Sequence, residues 1–177
     1  MRKLSFCVRP VKLFPPPLTG RITSFVDIIR PFFVLSRLRS IHLRITHYDR
    51  ATSPLGEDEL FALADAWPEV EVLRLELGKP LWSDPDYRNR PPIRPSVNCI
   101  ARFALKCRDL KSLSLPAVEL QDRNLWVDIP LGSQHGLRWL QLGCVLPLNY
   151  SHESLDASTQ FLQHIFPSAS INGLPDI

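Results

Sequence analysis

Six-residue segments of the form aliphatic-x-x-aliphatic-x-aliphatic recur along the chain, and their recurrence constrains the fold more than any other feature. They are Leu38-Arg-Ser-Ile41-His-Leu43, Val70-Glu-Val-Leu73-Arg-Leu75, Leu110-Lys-Ser-Leu113-Ser-Leu115 and Leu137-Arg-Trp-Leu140-Gln-Leu142. The phase returns after 32, 40 and 27 residues, so the unit varies in length while its internal spacing stays constant. A recurrence of this size marks an architecture built by stacking. The last two aliphatics of each segment stand two residues apart, which puts them on one face of a strand. A single short strand cannot bury that face alone, so the four strands are predicted to lie side by side.

Upstream of these segments the apolar spacing turns helical. Between Glu57 and Trp67, residues Leu60, Leu63, Ala64 and Trp67 share one face, and Glu57, Asp58 and Glu59 crowd the first turn, where the helix dipole favours carboxylates. Pro68 ends that helix. Ser96 is suited to cap a helix running to Lys106, with Val97, Ile100, Ala104 and Cys107 on its apolar face, Phe103 beside them, and Lys106 and Arg108 as cations at its end. A third helix, Asp156 to Phe166, carries Phe161, Leu162 and Ile165 and stops at Pro167. A fourth, Thr23 to Phe33, carries Phe25, Ile28, Ile29 and Phe32 but has Pro31 inside it, which weakens it.

The predicted unit is therefore helix, turn, short strand and a loop of variable length, repeated about five times. The fold class is α/β: an irregular solenoid with short parallel strands on the concave face and helices on the convex face. An ordinary α/β domain whose strands merely share an alternation is the alternative. Residues 1–22, basic and rich in proline, are read as a poorly structured segment ahead of a repeat domain over 23–177.

Composition narrows the function classes. The 177 residues suit one domain, and a chain 45% hydrophobic and 22% charged is that of a packed globular protein. Seven glycines against 17 prolines leave little material for loops that cradle phosphates. Residues 1–50 hold ten Lys or Arg against Asp27 and Asp49, but these are scattered with no run of five, so nucleic-acid binding is not expected. The start, free of acids as far as Arg21, has the charge of a mitochondrial presequence, though prolines at 15, 16 and 17 oppose the amphipathic helix such a segment needs. Cys7, Cys99, Cys107 and Cys144 form no C-x-x-C pair and follow no secretory signal, so they read as small buried hydrophobes or spare thiols in a cytoplasmic or nuclear protein. Nothing approaches the ~20 apolar residues of a membrane span. His42, His47, His135, His152 and His164 never fall at metal-ligand spacing, and neither a nucleophile elbow nor a phosphate loop is present. No catalytic residue, metal or cofactor is expected, and the chain is read as a non-enzyme. A small α/β enzyme, which would need a pocket joining polar groups from separate strand ends, is the alternative.

Particular wording in the units is familiar. Asp58-Glu-Leu-Phe-Ala-Leu-Ala-Asp-Ala-Trp67-Pro68-Glu-Val-Glu-Val-Leu-Arg-Leu75 resembles the helix and W-P-x-L-x-x-L-x-L unit in the leucine-rich-repeat regions of many fungal F-box-like proteins. Ile100-Ala-Arg-Phe-Ala-Leu-Lys-Cys107-Arg-Asp-Leu110-Lys-Ser-Leu113, Leu137-Arg-Trp-Leu140-Gln-Leu-Gly143 and Thr159-Gln-Phe-Leu-Gln-His-Ile-Phe166-Pro167 match the same pattern. The resemblance covers about residues 27–171. It implies a leucine-rich-repeat solenoid serving as the substrate-recognition arm of a ubiquitin-ligase adaptor, or a truncated or free-standing relative. Residues 1–34 lack the F-box helices, so binding of a Skp-type adaptor does not carry over. In the last unit, Phe166-Pro-Ser-Ala-Ser-Ile171 lacks the leucine expected at Ala169, and its strand is expected to be short.

The function class that follows is a protein-interaction module with a protein partner. Residues between the core aliphatics must point to the opposite face. That face should carry Ser40, His42 and Arg44, then Val72, Arg74 and Glu76, then Ser112 and Ser114, and finally Trp139 and Gln141. A tryptophan beside arginines is the composition of a binding hot spot, although the same row also suits a merely solvated sheet face. The long connection Gly78 to Pro95 adds Trp82 and Tyr87 as partner-binding candidates, with a variable insertion as the alternative reading of the loop; its Pro92-Ile-Arg-Pro95 lacks the flanking cation an SH3 ligand needs. A second loop, Glu119 to His135, carries Trp126.

Overall fold

The computed structural model of the chain describes residues 3–8, 25–45, 55–77, 94–120, 125, 129–130, 134–143, 145–146 and 151–174. It is a mixed α/β fold built on a parallel sheet. Strands β1 (Lys3–Val8), β2 (Ser40–Ile45), β3 (Val72–Leu77), β4 (Ser112–Leu115), β6 (Trp139–Leu142) and β8 (Ser170–Asn172) lie side by side in chain order, every neighbouring pair parallel. The short strands β5 (Val118–Glu119) and β7 (Val145–Leu146) form a separate parallel pair. Parallel neighbours need a crossover rather than a hairpin. Helices α1 (Phe25–Ile29), α2 (Glu57–Ala66), α3 (Val97–Lys106) and α4 (His152–Ile165) supply those crossovers before β2, β3, β4 and β8.

The aliphatic spacing sets the register. Ile41 pairs with Leu73, Leu73 with Leu113, and Leu113 with Leu140, and all four are at 0% exposure. Leu43 pairs with Leu75 and Leu115 with Leu142, buried beside them. Each fully buried aliphatic of this kind contributes about 1.5–3 kcal/mol of transfer free energy, which is what holds a ladder of short strands together. The helices close the other side of this core through Leu60 and Leu63, Ile100 and Phe103, and Phe161 and Ile165.

Helix boundaries follow local chemistry. Ser96 caps α3 by accepting the Cys99 N–H at 3.1 Å, as the sequence suggests. The α4 helix begins four residues before the expected Asp156, because Ser151 accepts the Ser154 N–H at 3.1 Å. The expected Thr23–Phe33 helix is split: α1 gives way to a 3-10 helix over Arg30–Val34, with Pro31 in its first turn, where a missing N–H goes unnoticed.

Three expectations change. The segment 1–22, read as poorly structured, contributes β1, whose Leu4 and Phe6 stand opposite Ile41 and Leu43 in register. The unit before β6 has no helix among its described residues; the connection instead buries Leu125 and Ile129. In the last unit, Ile171 rather than Ala169 takes the middle aliphatic position, opposite Leu140.

The third change has a local cause. Helices α2, α3 and α4 end in one shared turn, in which the N–H three residues past Trp67, Cys107 and Phe166 returns to that residue's carbonyl at 3.1, 2.9 and 3.0 Å. Before β3, β4 and β6 two consecutive N–H groups then share one carbonyl: Glu71 and Val72 on Arg39, Lys111 and Ser112 on Glu71, Arg138 and Trp139 on Lys111. That bulge accommodates one extra residue. Before β8, Ser170 donates to Arg138 at 2.9 Å, the N–H of Ile171 does not share that carbonyl, and the strand arrives one residue sooner.

Gly173 then ends the sheet. Its φ is +94°, and a Cβ there would lie 1.7 Å from the Leu142 carbonyl oxygen. Gly173→Ala is expected to lift β8 off β6, accelerating amide exchange at Ser170–Asn172 and lowering stability by about 1–3 kcal/mol. Unchanged exchange at those amides would contradict this.

Candidate sheet-face interface

The period-two alternation that buries the aliphatics sends their neighbours to the other side of the sheet. Across the strands these neighbours align in rows. One row runs Ser40, Val72, Ser112, Trp139, Ser170, and the next runs Ser5, His42, Arg74, Ser114, Gln141, Asn172. Arg44 and Glu76 face each other in a third. The eight sequence-predicted residues on strands, His42, Arg44, Arg74, Glu76, Ser112, Ser114, Trp139 and Gln141, thus share one face, and none of their side chains is buried in the core. Trp82 and Tyr87 lie outside the described residues, as do Trp126 and the Pro92–Pro95 motif except its last two residues.

Trp139 is 44% exposed, with serines as both register neighbours. The small floor on either side leaves the indole standing proud, able to take an apolar group against its face. Two strands away Glu76 accepts from His42 Nε2 at 3.0 Å and pairs with Arg44 Nε at 3.7 Å. Arg74, exposed in the middle of the second row, makes no ion pair among the described residues. Among the described residues its guanidinium is a charge of the face without a carboxylate partner.

The rim where the strands begin is cross-braced. Glu71 receives Lys111 Nζ at 2.6 Å and Arg39 Nη1 at 3.2 Å, and the Lys111 hydrogen bond, with Arg39 behind it, holds the Glu71 carboxyl below its ordinary 4.5. Arg39 also reaches Glu69 at 3.7 Å. These exposed pairs fix side-chain positions at the rim and add little stability each.

Sequence reasoning missed three members of the face. Ser5 escaped because β1 was not anticipated, although apolar residues at 4, 6 and 8 carry the period-two signal. Ser170 and Asn172 escaped because the last unit is one residue short.

On the other side of the sheet several polar groups are held by packing and hydrogen bonds. A cleft of about 640 Å³ is lined by Arg102, Lys106, Arg108, Gln134 and His135. Arg102 lies over the Phe61 ring at 4.9 Å, and Lys106 pairs with Asp65. His135 is buried with both ring nitrogens engaged, Nε2 on the Cys107 carbonyl at 3.1 Å and Nδ1 accepting the Leu137 N–H at 3.1 Å. This requires the neutral ring with its proton on Nε2, and burial pushes its pKa below the ordinary 6.5. Burial likewise pushes the Cys99 and Cys107 thiols up to about 12, which removes them as nucleophiles at neutral pH. Among the described residues no three His, Cys, Asp or Glu cluster as a metal site would require, and no helix is long and apolar enough to cross a membrane. No protein-family model matches the chain, and neither does any curated protein or any solved structure.

Proposed function

We propose that the chain is a protein-interaction module, a leucine-rich-repeat solenoid whose polar sheet face captures a segment of a partner protein. The observation that carries this reading is the pair of adjacent exposed rows that hold Trp139 and Arg74, an aromatic and a guanidinium without an ion-pair partner among the described residues, on one face of a parallel sheet. Spacing supports the solenoid shape. Neighbouring strands are about 4.8 Å apart whereas packed helices need about 8–10 Å. Helices α1, α2 and α3 touch in succession while their strands are immediate neighbours, so the helix layer must splay and the sheet must curve away from it. Helices α3 and α4 also touch, across two strand steps, which suits a unit between them whose described residues form no helix. The resemblance to F-box-like proteins makes the captured segment a candidate ubiquitin-ligase substrate.

The test compares the tagged wild-type chain with a Trp139→Ala, Arg74→Glu variant by quantitative mass spectrometry of proteins retained from expressing cells. The partner should be the protein lost by about tenfold or more from the variant, as truncation of a hot-spot residue implies. Thermal melting should be unchanged. Identical retention by both forms, or a melting temperature several degrees lower in the variant, contradicts the reading.

A further inference from the structure

The two ends of the helix layer are finished differently. At each shared helix-ending turn one residue points into the layer, and Trp67, Cys107 and Phe166 are at 1%, 0% and 1% exposure there. The first unit makes the same turn, Leu38 N–H returning to the Leu35 carbonyl at 3.3 Å, yet Leu35 is 44% exposed and Val34 beside it 83%. These two, with Trp139, are the exposed large hydrophobics among the described residues.

The later units define what belongs over such a position. Trp67 is covered by Phe33, from the helical segment of the preceding unit, at 5.3 Å and 86° between rings. Phe166 is covered by His135 of the preceding unit at 6.0 Å. In both cases the cover is supplied from the unit before, and at Trp67 it is a helical side chain. Leu35 has β1 before it in the sheet, but among the described residues no helix precedes α1 in the outer layer. At the opposite end the sheet finishes in the three-residue strand β8 and the Gly173 turn, with Ile171 and Leu174 packed against the core.

Charge narrows the occupant. In sequence the exposed pair is flanked by Arg30, which pairs with Asp27 at 3.4 Å, and by Arg37, an exposed cation with no ion pair among the described residues. A second copy would bring the same arginines against these and be repelled. We infer that the Val34–Leu35 end of the helix layer is a docking site for an amphipathic helix with an acidic polar face, supplied by a partner protein. This is a surface distinct from the sheet face, and its test does not depend on that reading.

The probe is a fluorescein-labelled peptide of residues 55–68 of this chain, an amphipathic helix carrying Glu57, Asp58, Glu59 and Asp65 and no cation. Fluorescence anisotropy against the full chain should give saturable binding, weakened about tenfold or more by Val34→Asp with Leu35→Asp and by exchanging the four acids for lysine. Both substituted residues are exposed, so circular dichroism should show the variant folded. Absence of binding, or binding indifferent to the double substitution, overturns the proposal; the latter would mean exchange with the chain's own α2. Equal binding of the lysine peptide overturns the acidic character of the occupant. A dimer in sedimentation velocity that the double substitution dissociates also overturns it, by making the occupant a second copy.

Discussion

Leu113→Asp is expected to leave the chain unfolded at room temperature, while Ser114→Asp, one residue further along the same strand, is expected to change stability by no more than about 0.5 kcal/mol. Leu113 is at 0% exposure between Leu73 and Leu140. An unpaired carboxylate there faces several kcal/mol of desolvation and also loses the leucine's own burial, against a total stability of about 5–15 kcal/mol for a domain. Ser114 lies on the other face, opposite Arg74, where an added carboxylate meets a cation. Leu113→Ala should cost about 2–5 kcal/mol, an intermediate point on the same scale. Urea denaturation of the three variants checks the series. Comparable losses at 113 and 114 would mean that the strand does not alternate between core and surface.

His135→Ala is expected to cost about 2–4 kcal/mol. The residue lies in the unit before β6, whose described residues form no helix, and ties together its neighbours. Its backbone N–H donates to the Ile165 carbonyl at the end of α4, Nε2 reaches the carbonyl that follows α3, and Nδ1 receives the N–H leading into β6. Removing it leaves a cavity against Phe166 and two backbone groups without their partners. Protonation should act in the same direction, because an Nδ1 proton would confront the Leu137 N–H. With its folded pKa depressed below 6.5, the unfolded chain binds more protons in the window below that value. Stability due to this ring is therefore full above about pH 6.5 and is lost as pH falls toward the folded pKa. Glu71, with its pKa held below 4.5, gives up its contribution only in a more acidic range. Chemical denaturation from about pH 7.5 to 5 should show the wild type losing stability and His135→Ala losing less. Parallel curves would remove His135 from this role.

Much of the fold was legible because one physical rule acted without local exceptions. Wherever the aliphatic spacing was read, at Ile41, Leu73, Leu113 and Leu140, the strand formed in that register, since any slip would turn leucines toward water. The Glu57 and Ser96 helix starts were readable from carboxylates and a capping hydroxyl. What escaped depended on contacts rather than spacing. Strand β1 has no helical pattern before it to announce a unit, and the missing bulge before Ile171 is a backbone hydrogen-bond difference that the alanine at 169 signals only as an irregular unit, not as a shift in register. His135 looked like any loop histidine, because its role depends on the carbonyls of Cys107 and Ile165, far away in sequence, as well as on the nearby Leu137 N–H. The sheet face was legible residue by residue, but its unmatched charge was not. Only the pairing of Glu76 with His42 and Arg44 leaves Arg74 alone among them.

An interaction face made of the residues between stacked aliphatics requires that Ser114 and Gln141 stand side by side on the surface. Cysteines at both positions would lie within the roughly 4.4–6.8 Å Cα separation that a disulfide spans, whereas Ser112→Cys with Gln141→Cys, offset by two residues, would fall beyond about 7 Å. Mild oxidation of the folded chain followed by peptide mapping should find the 114–141 bridge and not the 112–141 bridge. A bridge in the offset pair, or in neither, would contradict the register and with it the face.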